Sequence, residues 1–216
     1  MAGPLLECVV QSVDDALAAE RAGAARLELC VQLEVGGTTP PGHLVGAVVA
    51  AVRIPVFVLV RPRSGNFVHT DAEQTTMRGD IELAGRAGAS GIVIGVLTRE
   101  ARVDVEATRS LVQAADGLPV TFHRAFDETP DLQDALEAVV ATGASRVLTS
   151  GGARTAWEGA AALAALVARA GERIVILAGG GVRANNVSAL VARTGVREIH
   201  ARFDSEAATR QMIDLL

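Results

Sequence analysis

The chain has no lysine and no tyrosine among its 216 residues, and aromatic side chains make up only 3% of it. Without lysine there is no side-chain amine for a Schiff base, which excludes lysine-dependent aldolases and pyridoxal phosphate enzymes. So few aromatics leave no stacking platform for single-stranded nucleic acid. Two cysteines, Cys8 and Cys30, are too few for a disulfide framework at this length. Excess positive charge is missing as well: a net charge of −5 gives no basic footprint for nucleic acid or anionic lipid. No apolar run approaches the roughly 18 residues of a membrane span, and the opening MAGPLLECVV lacks the basic start of a secretory signal. The expectation is a cytoplasmic protein that meets neither membrane nor nucleic acid and carries neither a nucleotide nor pyridoxal phosphate.

What is present is aliphatic. Half of the residues are hydrophobic, which excludes disorder. Short runs rich in Val, Ile and Leu alternate with Ala-rich amphipathic stretches. The runs are Leu5–Val10, Arg26–Val31, Val56–Arg61, Gly91–Val96, Val120–Arg124, Arg146–Ser150, Ile174–Ala178 and Glu198–Ala201, each of strand length. Helical patterns follow at Val13–Arg21, Gly42–Val52, Asp71–Ala87, Val105–Ala115, Leu132–Ala141, Ala156–Ala170, Ala184–Arg193 and Glu206–Leu215. Several end in a glycine just before the next strand, the expected left-handed stop. Eight such units and no linker predict one domain over residues 1–216, a (β/α)8 barrel with parallel strands. A doubly wound sheet is the alternative. Its strands are covered on both faces and run almost wholly apolar, whereas here polar groups occupy one alternation phase: Arg26, Glu28 and Cys30; Arg61 and Arg63; Thr121 and His123; Glu198 and His200. One wet face on a buried strand fits a barrel interior.

Chemistry in such barrels sits at the C-terminal ends of the strands. The candidates there are Glu7, Glu28, Cys30, Arg61, Arg63, His123, Arg124, Asp127, Thr149, Ser150 and His200, with the turn Gly179, Gly180 and Gly181 after strand seven. An anion would be held by Arg61, Arg63 and Arg124, by Thr149 and Ser150, and by the backbone of the glycine turn, with Glu7 at the same mouth. No C-x-x-C or H-E-x-x-H spacing demands a metal. Cys30, His123 and His200 lie on different strands yet point to one mouth, and thiolate with imidazole suits Cu(I). Cys8 points the other way, towards the helices, as a small hydrophobe.

These segments are similar to the CutC family. The likeness rests on GAARLELC at 23–30, GGTTP at 36–40, VRPRSGNF at 60–67, PVTFHRAFD at 119–127, RVLTSGG at 146–152, AGGGV at 178–182 and EIH at 198–200, in order over nearly the whole chain. The resemblance implies a TIM-like barrel, a cytoplasmic protein and a role in copper homeostasis. The family's mouth residues correspond here to Glu7, Glu28, Cys30, Arg61, Arg63, Asp71, His123, Arg124 and His200. This chain departs at Val9, where relatives often carry a cysteine, and at Val35, where they tend to carry glutamate. The segment between the last strand and last helix is also short. Under the alternative reading, a lysine-independent lyase, isomerase or hydrolase acting on a small anionic or phosphorylated substrate, His123 and Glu28 act as catalytic acid and base. Partners expected are a metal ion or a small anion, and a second copy of the chain in a dimer or larger homo-oligomer.

Overall fold

The computed structural model describes residues 3–216. Eight parallel strands close into a barrel in chain order: β1 (Leu5–Val10), β2 (Arg26–Leu29), β3 (Val56–Leu59), β4 (Gly91–Ile94), β5 (Val120–Phe122), β6 (Arg146–Thr149), β7 (Val175–Gly179) and β8 (Glu198–Arg202). β8 pairs with β1 to complete the ring, with Glu7 opposite His200. Each strand is followed by a helix: α1 (Val13–Ala22), α2 (Gly42–Ala51), α3 (Asp71–Arg86), α4 (Val105–Ala114), α5 (Leu132–Thr142), α6 (Ala160–Ala170), α7 (Val187–Thr194) and α8 (Glu206–Ile213). No helix among the described residues is long and apolar enough to cross a membrane.

Local chemistry starts and stops these helices. Ser12, Asp104, Asp131 and Ser205 accept a backbone N–H in the first turn of α1, α4, α5 and α8, and Thr70 with Glu73 forms a capping box on α3. Gly23, Gly143 and Gly195 end α1, α5 and α7 in the left-handed conformation. Several boundaries differ from the sequence pattern; α6, for one, begins at Ala160 rather than Ala156. The polar ends of β2, β3 and β5 leave the ladder, and the chain after Phe122 turns into a short 3-10 segment, Arg124–Glu128. α7 begins at Val187 rather than Ala184. Asn186 closes a turn ahead of it, accepting from Arg183 N and donating to Gly181 O.

The strands bury both faces. Outward residues such as Leu6, Cys8, Val10, Leu27, Leu29 and Val58 pack under the helices in one large apolar cluster. Inside, the fill is layered by chemistry. At the N-terminal end stand Arg26, Arg146 and Glu198: Arg26 Nη2 donates to Glu198 Oε2 at 2.5 Å and Arg146 Nε to the same oxygen at 3.0 Å. The Phe57 ring lies against both guanidinium groups, 4.9 Å from Arg26 and 5.1 Å from Arg146. Gly91 makes space for that ring, since a Cβ there would sit 2.4 Å from it. Above it a small apolar plug gathers Val9, Cys30, Phe57, Leu59 and Val93. The doubly wound alternative is excluded by the closed ring.

Candidate functional site

At the C-terminal mouth the barrel opens into a cavity of about 290 Å3. Its polar lining comes from the strand ends and the loops after them: Glu28, Arg61, His123, Arg124 and His200, with the turn Gly180–Val182 on the far side. Val9, Leu59, Phe67 and Leu148 supply the apolar part. On the β8 side the wall is Arg183 and Arg202, which both reach Asp204, at 3.3 and 3.7 Å.

The deepest polar group is a corner formed by Glu7, Glu28 and His200. Glu7 on β1 is fully buried and accepts Arg26 Nε–H. Its other oxygen lies 2.7 Å from His200 Nδ1, while Glu28 Oε2 is 3.9 Å from the same nitrogen. Burial works to raise the Glu7 pKa, but His200 and Arg26 outweigh it and hold the carboxylate ionised below its ordinary value. Burial also opposes the His200 cation, yet Glu28 and Glu7 lift its pKa above the usual imidazole range. Glu28 responds differently. With no hydrogen-bond partner on Oε2, burial pushes its carboxyl up to about 7.

One ligand atom from each of Glu7, Glu28 and His200 falls within 4.8 Å of the others, close enough for one cation to be shared among them. Two carboxylates with an imidazole suit a divalent ion of intermediate hardness, such as Cu(II) or Zn(II), and the orphaned Glu28 oxygen is a ligand atom without other employment. The donor set therefore fits a divalent metal. A Cu(I) centre on Cys30, His123 and His200 does not match what the barrel brings together. Those three form no such group among the described residues. Cys30 is fully buried in the apolar plug beside Val9, and burial, aided by Glu28 and Glu34, pushes its thiol up to about 12, so it is no thiolate. Val9 fills the same plug. Cys8 faces the helices, as its alternation phase predicts.

The other predicted residues divide into those that face the cavity and those held elsewhere. Arg61 is buried beneath the mouth. Its Nη1 donates to Val35 O and Gly37 O, its Nη2 to Gly65 O at 2.8 Å, and its Nε has no partner. His123 is buried beside it, and burial, with Arg61 and His69, pushes its pKa down to about 3. Arg124 reaches the cavity from the 3-10 segment after β5 but is tied to Asp127 at 2.8 Å and to Ser150 Oγ at 2.9 Å. Arg63 does not face the cavity: Glu73 takes its Nε at 2.6 Å, and the Asn66 and Val68 carbonyls take its other donors. Thr149 and Ser150 are fully buried and bound to Asp127, which accepts from Thr149 Oγ1, Ser150 N and Gly152 N. Asp127 thus organises the loop after β6. Gly179 packs against Leu148 and His200, while Gly180 and Gly181, at φ of 106° and 68°, turn the backbone along the cavity edge. Asp71, exposed in the first turn of α3, is not part of this lining. Phe67, absent from the sequence expectations, lies under both Arg61 (4.8 Å) and His123 (4.9 Å). Only its place between VRPRSGN and the next helix hinted at it.

Comparison with known proteins was decisive on kinship. Residues 4–205 match the CutC family. A CutC family protein of Xylella fastidiosa is 47% identical over 207 residues, covering 96% of this chain and 78% of its own. A Mus musculus protein described as a copper homeostasis protein cutC homolog is 45% identical over 92% of this chain and 73% of its own. The crystal structure of a Streptococcus agalactiae CutC protein superposes with a TM-score of 0.87 at 36% identity, covering 91% of this chain and 97% of that one.

Proposed function

The chain belongs to the CutC family, and from that premise we propose that it serves copper homeostasis by holding a copper ion in the barrel mouth. The role is drawn from the mouse relative, described as a copper homeostasis protein cutC homolog. The observation that carries the site is the corner of Glu7, Glu28 and His200, whose ligand atoms converge with one carboxylate oxygen left unpartnered. These three side chains would hold the ion in its divalent state. Bound there, copper supplies a Lewis-acidic charge at the cavity floor. The chain's own part is to keep Glu7 ionised through Arg26 and to orient His200 through Glu7.

Equilibrium dialysis of the full chain against Cu(II), followed by elemental analysis, tests this reading. The expected result is a single ion per chain that is lost in Glu28→Gln and in His200→Gln and retained in Cys30→Ser. Copper retained by both corner variants overturns the site. Copper absent from the wild-type chain overturns the reading as a whole.

A second reading, acid–base catalysis on a small anion, is favoured by one observation: Glu28, with its carboxyl near 7, stands on the cavity wall beside His200. Proton exchange at carbon in candidate small acids, followed by deuterium incorporation in chelator, separates it from the copper reading. Incorporation that survives chelation and vanishes in Glu28→Gln supports catalysis.

A further inference from the structure

A second group in the same cavity is not used by the metal corner. Arg61 is 5% exposed, and no carboxylate among the described residues lies within ion-pair distance of it. Its three hydrogen bonds go to neutral carbonyls of Val35, Gly37 and Gly65. A guanidinium removed from water without a counter-charge is costly, because backbone dipoles replace only part of its hydration. Burial accordingly draws its pKa below the ordinary value. The Nε–H is buried with no acceptor, although Arg61 lines the cavity.

His123, just after β5, repeats the pattern. Its Nδ1 accepts Ala125 N–H at 3.1 Å, which puts the proton of the neutral ring on Nε2. That Nε2 is buried, unpartnered, and part of a ring that lines the cavity. Gly95 makes room for the ring, since a Cβ there would lie 2.3 Å from it. Phe67 braces both side chains from one side, with Arg61 4.8 Å and His123 4.9 Å from its ring. Two unpartnered donors, one of them on a charged group, thus lie just beneath a single wall of a cavity of about 290 Å3 that their own side chains line.

We propose that Arg61 and His123 form an oxyanion-binding subsite, and that the cavity takes a small organic anion whose carboxylate or phosphate oxygens accept from both. The anion supplies the missing counter-charge to Arg61 and the missing acceptor to His123 Nε2. Arg124, which packs against Gly180 and lines the same cavity, meets the remainder of the molecule. The size of the cavity limits the ligand to a small metabolite. The subsite is independent of the metal corner: neither residue touches Glu7, Glu28 or His200 through a hydrogen bond or ion pair.

The test is calorimetric titration of the full chain with inorganic phosphate and, separately, with malonate, in chelator near neutral pH and with chloride balancing ionic strength. One probe or both bind saturably, and the stronger assigns phosphate or carboxylate as the anion. In His123→Asn the amide oxygen can still accept from Ala125, while the Nε2–H is gone. Binding there weakens by about tenfold or more, the effect of one hydrogen bond to a charged group, and it is abolished in Arg61→Gln. In wild-type chain labelled with 15N-histidine, the same titration moves one Nε2–H resonance, which reads the contact even if a variant fails to fold. Absence of saturable binding by both probes overturns the proposal, as does binding that leaves the imidazole resonances unmoved. Because chelator keeps the chain metal-free, the copper reading stands or falls separately.

Discussion

Glu28 carries the clearest pH signature of any single residue. Its carboxyl titrates near 7 in the folded chain against an ordinary value of 4.5. Between those values the native state holds a proton that the unfolded chain has released, so stability from this group is full below about 4.5 and is lost as pH rises through 7. His200, with its pKa also raised, pushes in the same direction. Glu28→Gln removes the penalty while keeping the shape. Urea unfolding of the metal-free chain at mildly acid and mildly alkaline pH should find the variant gaining on wild type as pH rises, by on the order of 1–3 kcal/mol. An equal gap at both pH values rejects the assignment. His123 has the opposite slope: its depressed pKa of about 3 leaves it neutral in the fold, and stability from this group falls as pH drops from its ordinary 6.5 towards 3.

At the scale of elements, the strands do the positioning and the loops complete the site. β3 and β4 meet through an unequal pair, Phe57 beside Gly91, in which the glycine yields its side-chain volume to the ring. A methyl group at Gly91 meets ring carbons at 2.4 to 2.7 Å, a clash that displaces Phe57 from between Arg26 and Arg146 or spreads the two strands. Gly91→Ala is therefore expected to cost about 1–3 kcal/mol, in the range of core overpacking, measured by chemical denaturation. A neutral outcome means that the ring moves freely and that the cation–π packing is dispensable. The loop after β6 is organised from a different element altogether. Asp127, in the 3-10 segment after β5, gathers Thr149, Ser150 and Gly152 around its carboxylate. Two residues with the chemistry of ligand contacts thus become internal supports.

Across the whole molecule, the barrel interior balances its own charges at one end and leaves some unbalanced at the other. At the N-terminal end Arg26 and Arg146 share Glu198, and Arg26 also takes Glu7. Breaking a buried network by deleting one member is far worse than never building it, because the remaining charges lose their partner without regaining water. Glu198→Ala is expected to destabilise the chain by about 3–5 kcal/mol, read as a fall in the denaturation midpoint. A change below about 1 kcal/mol would place the pair in the class of surface bridges and remove the floor from this description. At the C-terminal end, Arg61 has no carboxylate within ion-pair distance among the described residues, and Glu28 has the His200 ring at 3.9 Å but no hydrogen bond on Oε2. That asymmetry separates scaffold from site along a single axis.

The chain's local pattern was enough for the architecture and for the facing of the residues within the strands, though not for Arg63 beyond β3. Eight strand–helix units, their glycine stops, and the alternation that turned Glu7, Glu28, His123 and His200 inward and Cys8 outward are all local properties, set by strand periodicity and turn chemistry. Height along the barrel axis is not local. It depends on strand tilt and on the register of each pair, above all the closing pair in which Glu7 meets His200 across β1 and β8. Those registers lowered Cys30 into an apolar plug, drew Glu7 and Glu28 to His200, and left His123 with Arg61. Only the tertiary structure decided which inward residues meet, because the ring closes between residues 193 positions apart.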